Sequence, residues 1–103
     1  ADGSTILTGS EDSTAAVWNA ATGGRERLLL GHAGEVVSVN FISHSDSAVT
    51  GSYDTTARVW NFQIGHCKQI LQHPAQVAAT AVSQDGNIIA TGCRDHRVRL
   101  WNF

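Results

Sequence analysis

The sequence is defined first by what it has little of. It contains no methionine, one proline and two cysteines among 103 residues. Its formal net charge is only −2, which gives no electrostatic reason to expect nucleic acid or an anionic membrane as partner. No apolar run approaches the roughly 18 residues needed to span a bilayer, and nothing at the start reads as a signal peptide. No membrane association is therefore expected. Cys67 and Cys93 fall on different predicted elements at no metal-like spacing. Two such thiols suit a reducing compartment, so an intracellular, cytoplasmic location is expected, with nucleus and cytoskeleton as alternatives. Hydrophobic residues make up 42% of the chain and charged residues 16%, ordinary values for a globular protein.

What is present is repetition. The stretch Thr50-Gly51-Ser52-Tyr53-Asp54 followed by Trp60 recurs upstream as Thr8-Gly9-Ser10-Glu11-Asp12 with Trp18, and downstream as Thr91-Gly92-Cys93-Arg94-Asp95 with Trp101. Each Trp sits six positions after its Asp, and the three Trp residues are 42 and 41 positions apart. A fixed period near this length means a repeat architecture. His32 and His73 each lie 22 residues before the Asp of their repeat.

A strand, a turn ending in Asp, a second strand ending in Trp, and the preceding dipeptide Gly31-His32 resemble the WD-repeat β-propeller family. Two departures are visible. The Trp-Asp signature reads Trp18-Asn19, Trp60-Asn61 and Trp101-Asn102, and Gln72-His73 stands where Gly-His is usual. Neither touches the residues that set the repeat's geometry. The resemblance implies an all-β fold of four-stranded antiparallel blades.

Strand signals divide the chain accordingly. Segments 5–9, 15–18 and 25–30 form a first blade over 1–31 that lacks its inner strand. Segments 35–41, 48–52, 55–60 and 65–71 form a complete blade over 32–72, closed by His73-Pro74, where proline lacks the donor a strand needs. Segments 77–82, 87–91 and 97–101 form a last blade over 73–103 without its outer strand. The turn Asp2-Gly3 matches Asp85-Gly86. About two and a half blades fall short of the four to eight of a closed ring, and open edges recruit other strands. With no methionine to initiate it, the chain reads as an excerpt of a larger propeller. Its missing blades would come from the same parent chain or, alternatively, from copies of itself.

His32, Thr50 and Asp54 invite a catalytic reading, but the set recurs as His73, Thr91 and Asp95. A triad needs one exposed nucleophile beside an oxyanion hole, not one set per repeat. The resemblance implies instead a buried hydrogen-bond network of His32, Thr50, Asp54 and Trp60, repeated in His73, Thr91, Asp95 and Trp101, and in Thr8, Asp12 and Trp18 without a histidine. No enzyme activity, cofactor or metal is expected. His44, His66 and His96 fall on separate turns and strands without the short intervals of zinc ligands.

The resemblance further implies a rigid scaffold whose top face binds proteins or peptides. The corresponding positions are Glu11, Tyr53 and Arg94 before the turn Asp; Glu35 and Gln76; and Val37 and Ala78. Tyr53 and Arg94 stand out, since Tyr and Arg are enriched in interface hot spots. Arg58, Arg97 and Arg99 read as residues along the grooves between blades rather than as a phosphate-binding stripe. The expected function is non-enzymatic complex assembly. Rival readings are a regulatory or substrate-recruiting propeller of a larger enzyme or ubiquitin-ligase complex, and a reader of peptides or histone tails through Glu11, Glu35 and Tyr53. The propellers that dock onto ubiquitin ligases carry Arg two residues after Trp-Asp, where this chain has Ala21 and Gln63, which weakens an adaptor role.

Overall fold

Residues 4–103 fold, in the computed structural model, into ten β-strands with no helix. The strands are β1 (Thr5–Gly9), β2 (Ala15–Asn19), β3 (Arg25–Leu29), β4 (Val36–Phe41), β5 (Ser47–Ser52), β6 (Thr56–Asn61), β7 (His66–Gln72), β8 (Val77–Val82), β9 (Ile88–Cys93) and β10 (Val98–Asn102). They form three antiparallel meanders: sheet 1 is β1-β2-β3, sheet 2 is β4-β5-β6-β7, and sheet 3 is β8-β9-β10. Among the described residues the three do not close a ring. The all-β reading of the sequence agrees with this architecture, and most strand ends differ by a residue or two from those read above. The Asp2-Gly3 turn lies outside the described residues.

Period-two alternation explains why sheet 2 sits in the middle. Ala48 and Trp60 join Ala15, Val17 and Leu29 of sheet 1, with Val36 and Phe62, in one core. Their alternates Val49, Ala57 and Val59 join Val77 and Ile89 of sheet 3, with Ile42 and Leu71, in the other. Every residue of β5 is therefore buried. The outermost strands β3 and β7 instead carry Arg25, Glu26, Arg27, Lys68 and Gln69 facing solvent, which blunts edge pairing.

The inner strands of sheets 2 and 3 are joined by polar contacts as well as by packing. Ser38 Oγ and Thr80 Oγ1 are 2.7 Å apart, the Thr80 N–H donates to Ser38 Oγ at 3.0 Å, and Asn40 Nδ2–H donates to the Thr80 carbonyl at 2.8 Å. Below them the turn before β9 presses on sheet 2. Gly86 has φ +78°, and a Cβ there would run into the Ser43 carbonyl. An L side chain at such a φ costs about 1–2 kcal/mol before any clash. Gly86→Ala is expected to lower stability by more than about 2 kcal/mol, read as the midpoint of urea unfolding. An unchanged midpoint would mean that sheets 2 and 3 do not meet there.

Four ladders also carry register shifts beside residues of interest. The shifts at Val36/Ser38 and Val77/Ala79 leave Val37 and Ala78 out of step with β5 and β9. Bulges of this kind re-aim a side chain, and both residues are exposed. The other two fall at matching places in sheets 1 and 2, Val17/Trp18 and Val59/Trp60.

Candidate functional site

The loop between β3 and β4 delivers His32 into sheet 2, where it is 7% exposed. Its Nδ1 lies 2.7 Å from Asp54 Oδ2 and its Nε2 2.6 Å from Thr50 Oγ1, while Trp60 Nε1–H donates to the same Thr50 oxygen at 2.8 Å. The directions follow from the groups themselves. Indole only donates and an ionised carboxylate only accepts. The proton of His32 is therefore on Nδ1, and the Thr50 hydroxyl donates to Nε2. The chain runs Trp60 to Thr50 to His32 to Asp54, tying β6, β5, the histidine loop and the β5–β6 turn together.

Asp54 also accepts the Ala33 N–H at 3.0 Å, the Thr56 N–H at 2.8 Å and the Thr56 hydroxyl at 2.6 Å. Burial pushes its pKa up, but the Thr56 hydroxyl, the His32 ring and the two backbone donors outweigh that and hold the carboxyl at about 2. Burial pushes His32 down, against the upward pull of Asp54, and it stays below its ordinary value. Thr50 is 0% exposed. A hydroxyl with no exposed surface, held by an indole and an imidazole, cannot serve as a nucleophile toward a substrate.

Sheet 3 repeats only part of this arrangement. Thr91 Oγ1 accepts from Trp101 Nε1–H at 3.0 Å and contacts His73 Nε2 at 2.7 Å. Asp95, however, does not continue the chain. The His73 Nδ1–H donates to the Leu71 carbonyl at 2.9 Å, and Asp95 takes Arg99 through both oxygens, at 2.7 and 3.3 Å. This corrects the expected network at Asp95, and it moves Arg99 from an inter-blade groove to an ion pair within its own sheet. The cause is local. Thr56, whose hydroxyl holds Asp54, is replaced by Arg97, so the carboxylate is left to Arg99, which holds Asp95 well below the usual carboxylate range.

Sheet 1 keeps the remaining contacts. Trp18 Nε1–H donates to Thr8 Oγ1 at 2.9 Å, and Asp12 accepts the Thr14 N–H and hydroxyl at 3.0 and 2.6 Å. Thr56 and Thr14 are functional members that the sequence reading passed over. The signal was there: Asp-x-Thr occurs in two of the three repeats. Ser52 is another, donating to the Gly34 carbonyl at 3.0 Å and accepting the Asp54 N–H at 3.1 Å.

These groups set an acid profile. Burial lowers both His32 and His73 from the ordinary 6.5. Their contribution is complete above about pH 6.5 and drains as the pH falls below it. Asp54, lowered from 3.8 to about 2, contributes fully above about pH 4 and loses its share as the pH falls through about 2. Urea midpoints measured from pH 8 to 2 are expected to fall in two stages. A flat profile between pH 7 and 5 would contradict neutral buried histidines.

The second constellation lies on the turns. Tyr53 and Arg94, 41 residues apart and on different sheets, meet: Arg94 Nη2–H donates to the Tyr53 hydroxyl at 2.7 Å, and the guanidinium stands 4.8 Å over the ring. The Tyr53 N–H donates to the Glu35 carbonyl and the Arg94 N–H to the Gln76 carbonyl, each at 2.9 Å. Glu35 and Gln76 are thus fixed beside them through backbone. Glu11 is exposed at the matching turn of sheet 1, and no side-chain contact joins it to Tyr53 among the described residues. Also among the described residues, no group of three or more His, Cys, Asp or Glu side chains is placed to hold a metal ion.

The sequence profile of the WD domain, G-beta repeat, matches residues 1–19, 23–61 and 65–102. The chain belongs to the WD40-repeat family. WD40 domains are generally non-catalytic modules that mediate protein–protein interactions. Two of the three matched WD40 segments straddle two sheets: 23–61 takes in β3 with β4–β6, and 65–102 takes in β7 with β8–β10. Neighbouring sheets are thereby linked covalently within one repeat unit.

Relatives carry the same repeats. Apoptotic protease-activating factor 1 of Rattus norvegicus is 35% identical over 100 residues, covering 96% of this chain and 8% of that protein. The ribosome biogenesis protein WDR12 homolog of Ixodes scapularis is 29% identical over 109 residues, covering 94% and 25%. Anaphase-promoting complex subunit cdc20 of Dictyostelium discoideum is 29% identical over 102 residues, covering 99% and 20%. The chain spans a quarter or less of the length of each of these proteins.

Proposed function

We propose that this chain works without catalysis, as a rigid platform that binds a protein or peptide on its turn face, with Tyr53 and Arg94 as anchors. The observation that carries the reading is their contact, 2.7 Å from guanidinium to hydroxyl with the cation over the ring. A stacked arginine loses less side-chain freedom on binding than a free one, and tyrosine with arginine is the usual composition of an interface hot spot. Val37 and Ala78, exposed at their bulges, extend the same surface, and Glu35 and Gln76 join it through their backbone bonds to Tyr53 and Arg94.

Loss of either anchor is expected to weaken partner binding by more than about tenfold, a hot-spot cost of at least 1.4 kcal/mol, without lowering the melting temperature. The check is quantitative affinity capture with the wild type, Tyr53→Ala and Arg94→Ala, followed by titration of the captured protein against all three. Equal affinity across the three would overturn the reading.

A second reading follows from the relatives. One is named for activating a protease and another as a subunit of the anaphase-promoting complex. Both names support a regulatory role for these blades inside a larger assembly, with the same turn face recruiting its partner.

A further inference from the structure

We propose that the groove between sheets 1 and 2, beside β2 and β3, takes up the side-chain ammonium of a lysine on a protein partner. The inference does not rest on the turn-face reading. Tyr53 precedes β6 whereas Phe62 and Gln63 follow it, so the groove lies at the other end of the strands. Its basis is a comparison of two matching grooves.

The groove between sheets 2 and 3 carries an ammonium of its own. Lys68 Nζ donates to Asp46 Oδ1 at 2.9 Å and to Ser47 Oγ at 2.6 Å, and it stands 5.8 Å from the centre of the Phe103 ring. The register shift of β7 aims it there. Val59 pairs with Gln69 and Trp60 with Cys67, so Lys68 is the extra residue, and a bulge of this kind re-aims a side chain.

Strand β3 carries the same bulge with the opposite charge. Val17 pairs with Arg27 and Trp18 with Arg25, which leaves Glu26 as the extra residue. Thr5 pairs with Asn19 as Ser47 pairs with Asn61, so a hydroxyl is kept. Phe62 follows Trp60-Asn61 as Phe103 follows Trp101-Asn102, so the ring is kept too. The carboxylate has changed place: Ser4 stands where sheet 2 has Asp46, and Glu26 stands where it has Lys68. Hydroxyl, ring and carboxylate remain, and the ammonium is missing.

Thr5, Val17, Glu26, Arg27, Phe62 and Gln63 line a pocket of about 200 Å³ at this place. Glu26 is the one acidic residue in that lining, and among the described residues it makes no ion pair. The Arg27 stem is drawn over Gly65, where an added Cβ would lie 2.8 Å from its Cδ. A lysine entering past Val17 and Phe62 would bury its methylenes along them. Its ammonium would donate to Glu26 and Thr5 with the charge set against the Phe62 ring. Strand β3 is outermost in its sheet, as β7 is in sheet 2, so a partner reaches the pocket from the side of the molecule.

The test uses the intact chain and the peptide acetyl-glycyl-lysyl-glycinamide. Its norleucyl counterpart is the control, keeping the stem and lacking the charge. The Val17 methyl and Phe62 ring signals are assigned by NMR and followed during titration. Both are expected to shift and saturate with a dissociation constant of about 10 mM or below. The Phe103 ring, whose ammonium is already in place, is expected to stay still. Glu26→Gln is expected to weaken binding at least about threefold. Glu26→Lys supplies the ammonium from within, as Lys68 does, and is expected to abolish it. No saturable shift by about 10 mM peptide, equal shifts with the norleucyl peptide, undiminished binding by either variant, or a response confined to Phe103 would each overturn the proposal.

Discussion

Replacing Trp60 by alanine is expected to remove about 3–5 kcal/mol of stability, a large part of the 5–15 kcal/mol that a domain possesses. The indole is 1% exposed and packs among Ala15, Val17, Leu29, Val36, Ala48 and Phe62, at the junction of sheets 1 and 2. Phe62 is itself held edge-on against Phe41 at 5.0 Å, so the cavity has stiff walls and collapses poorly. The loss also strips Thr50 of its donor. Trp18→Ala and Trp101→Ala are expected to cost clearly less, since both rings are only half-buried and leave part of their cavity open to water. Urea unfolding of the three variants, followed by circular dichroism, separates them. Equal costs would mean that the repeat, and not the packing around each copy, sets the energetics.

Asp54→Ala is expected to cost about 2–4 kcal/mol, because several donors lose their acceptor at once and a buried donor left unmet costs about 1–3. Those donors are the His32 ring, the Ala33 and Thr56 amides and the Thr56 hydroxyl. The carboxylate side chain is 5% exposed, so water does not readily replace it. Asp95→Ala at the same repeat position is expected to cost clearly less, as the loss of a surface ion pair does, since Asp95 meets Arg99 and not its histidine. Paired midpoints of the two variants at pH 7 decide the matter. Similar losses would show that Asp95 joins its histidine in solution.

The two aspartates mark how far the sequence could be read. The period of the Trp and Asp residues makes the strand order legible, because a strand's burial pattern depends on neighbours that the repeat itself supplies. Position in the repeat did not foretell that Asp95 turns away from His73. That outcome depends on a residue two places on, threonine at 56 and arginine at 97. The spacing of His73, Thr91 and Asp95 is blind to it. Likewise Tyr53 and Arg94 each stood out on composition, but their contact joins two sheets and has no sequence periodicity of its own. The bulges that expose Val37 and Ala78 come from strand pairing and leave no mark in the run Val36-Val37-Ser38. Cys93, at the position of Ser52, reads as a packing residue. In the fold it is buried and points its thiol at the Ala75 carbonyl at 3.4 Å.

The central claim is that the histidines are links in directed, buried hydrogen-bond chains that hold sheets together, and not reactive or metal-binding groups. Long-range ¹⁵N–¹H correlation of the imidazole rings across a pH titration tests it most directly. The account predicts that His32 and His73 are both neutral with the proton on Nδ1, and that both remain so below pH 6.5, the ordinary histidine value. Protonation on Nε2, or free titration at that ordinary value, would contradict it.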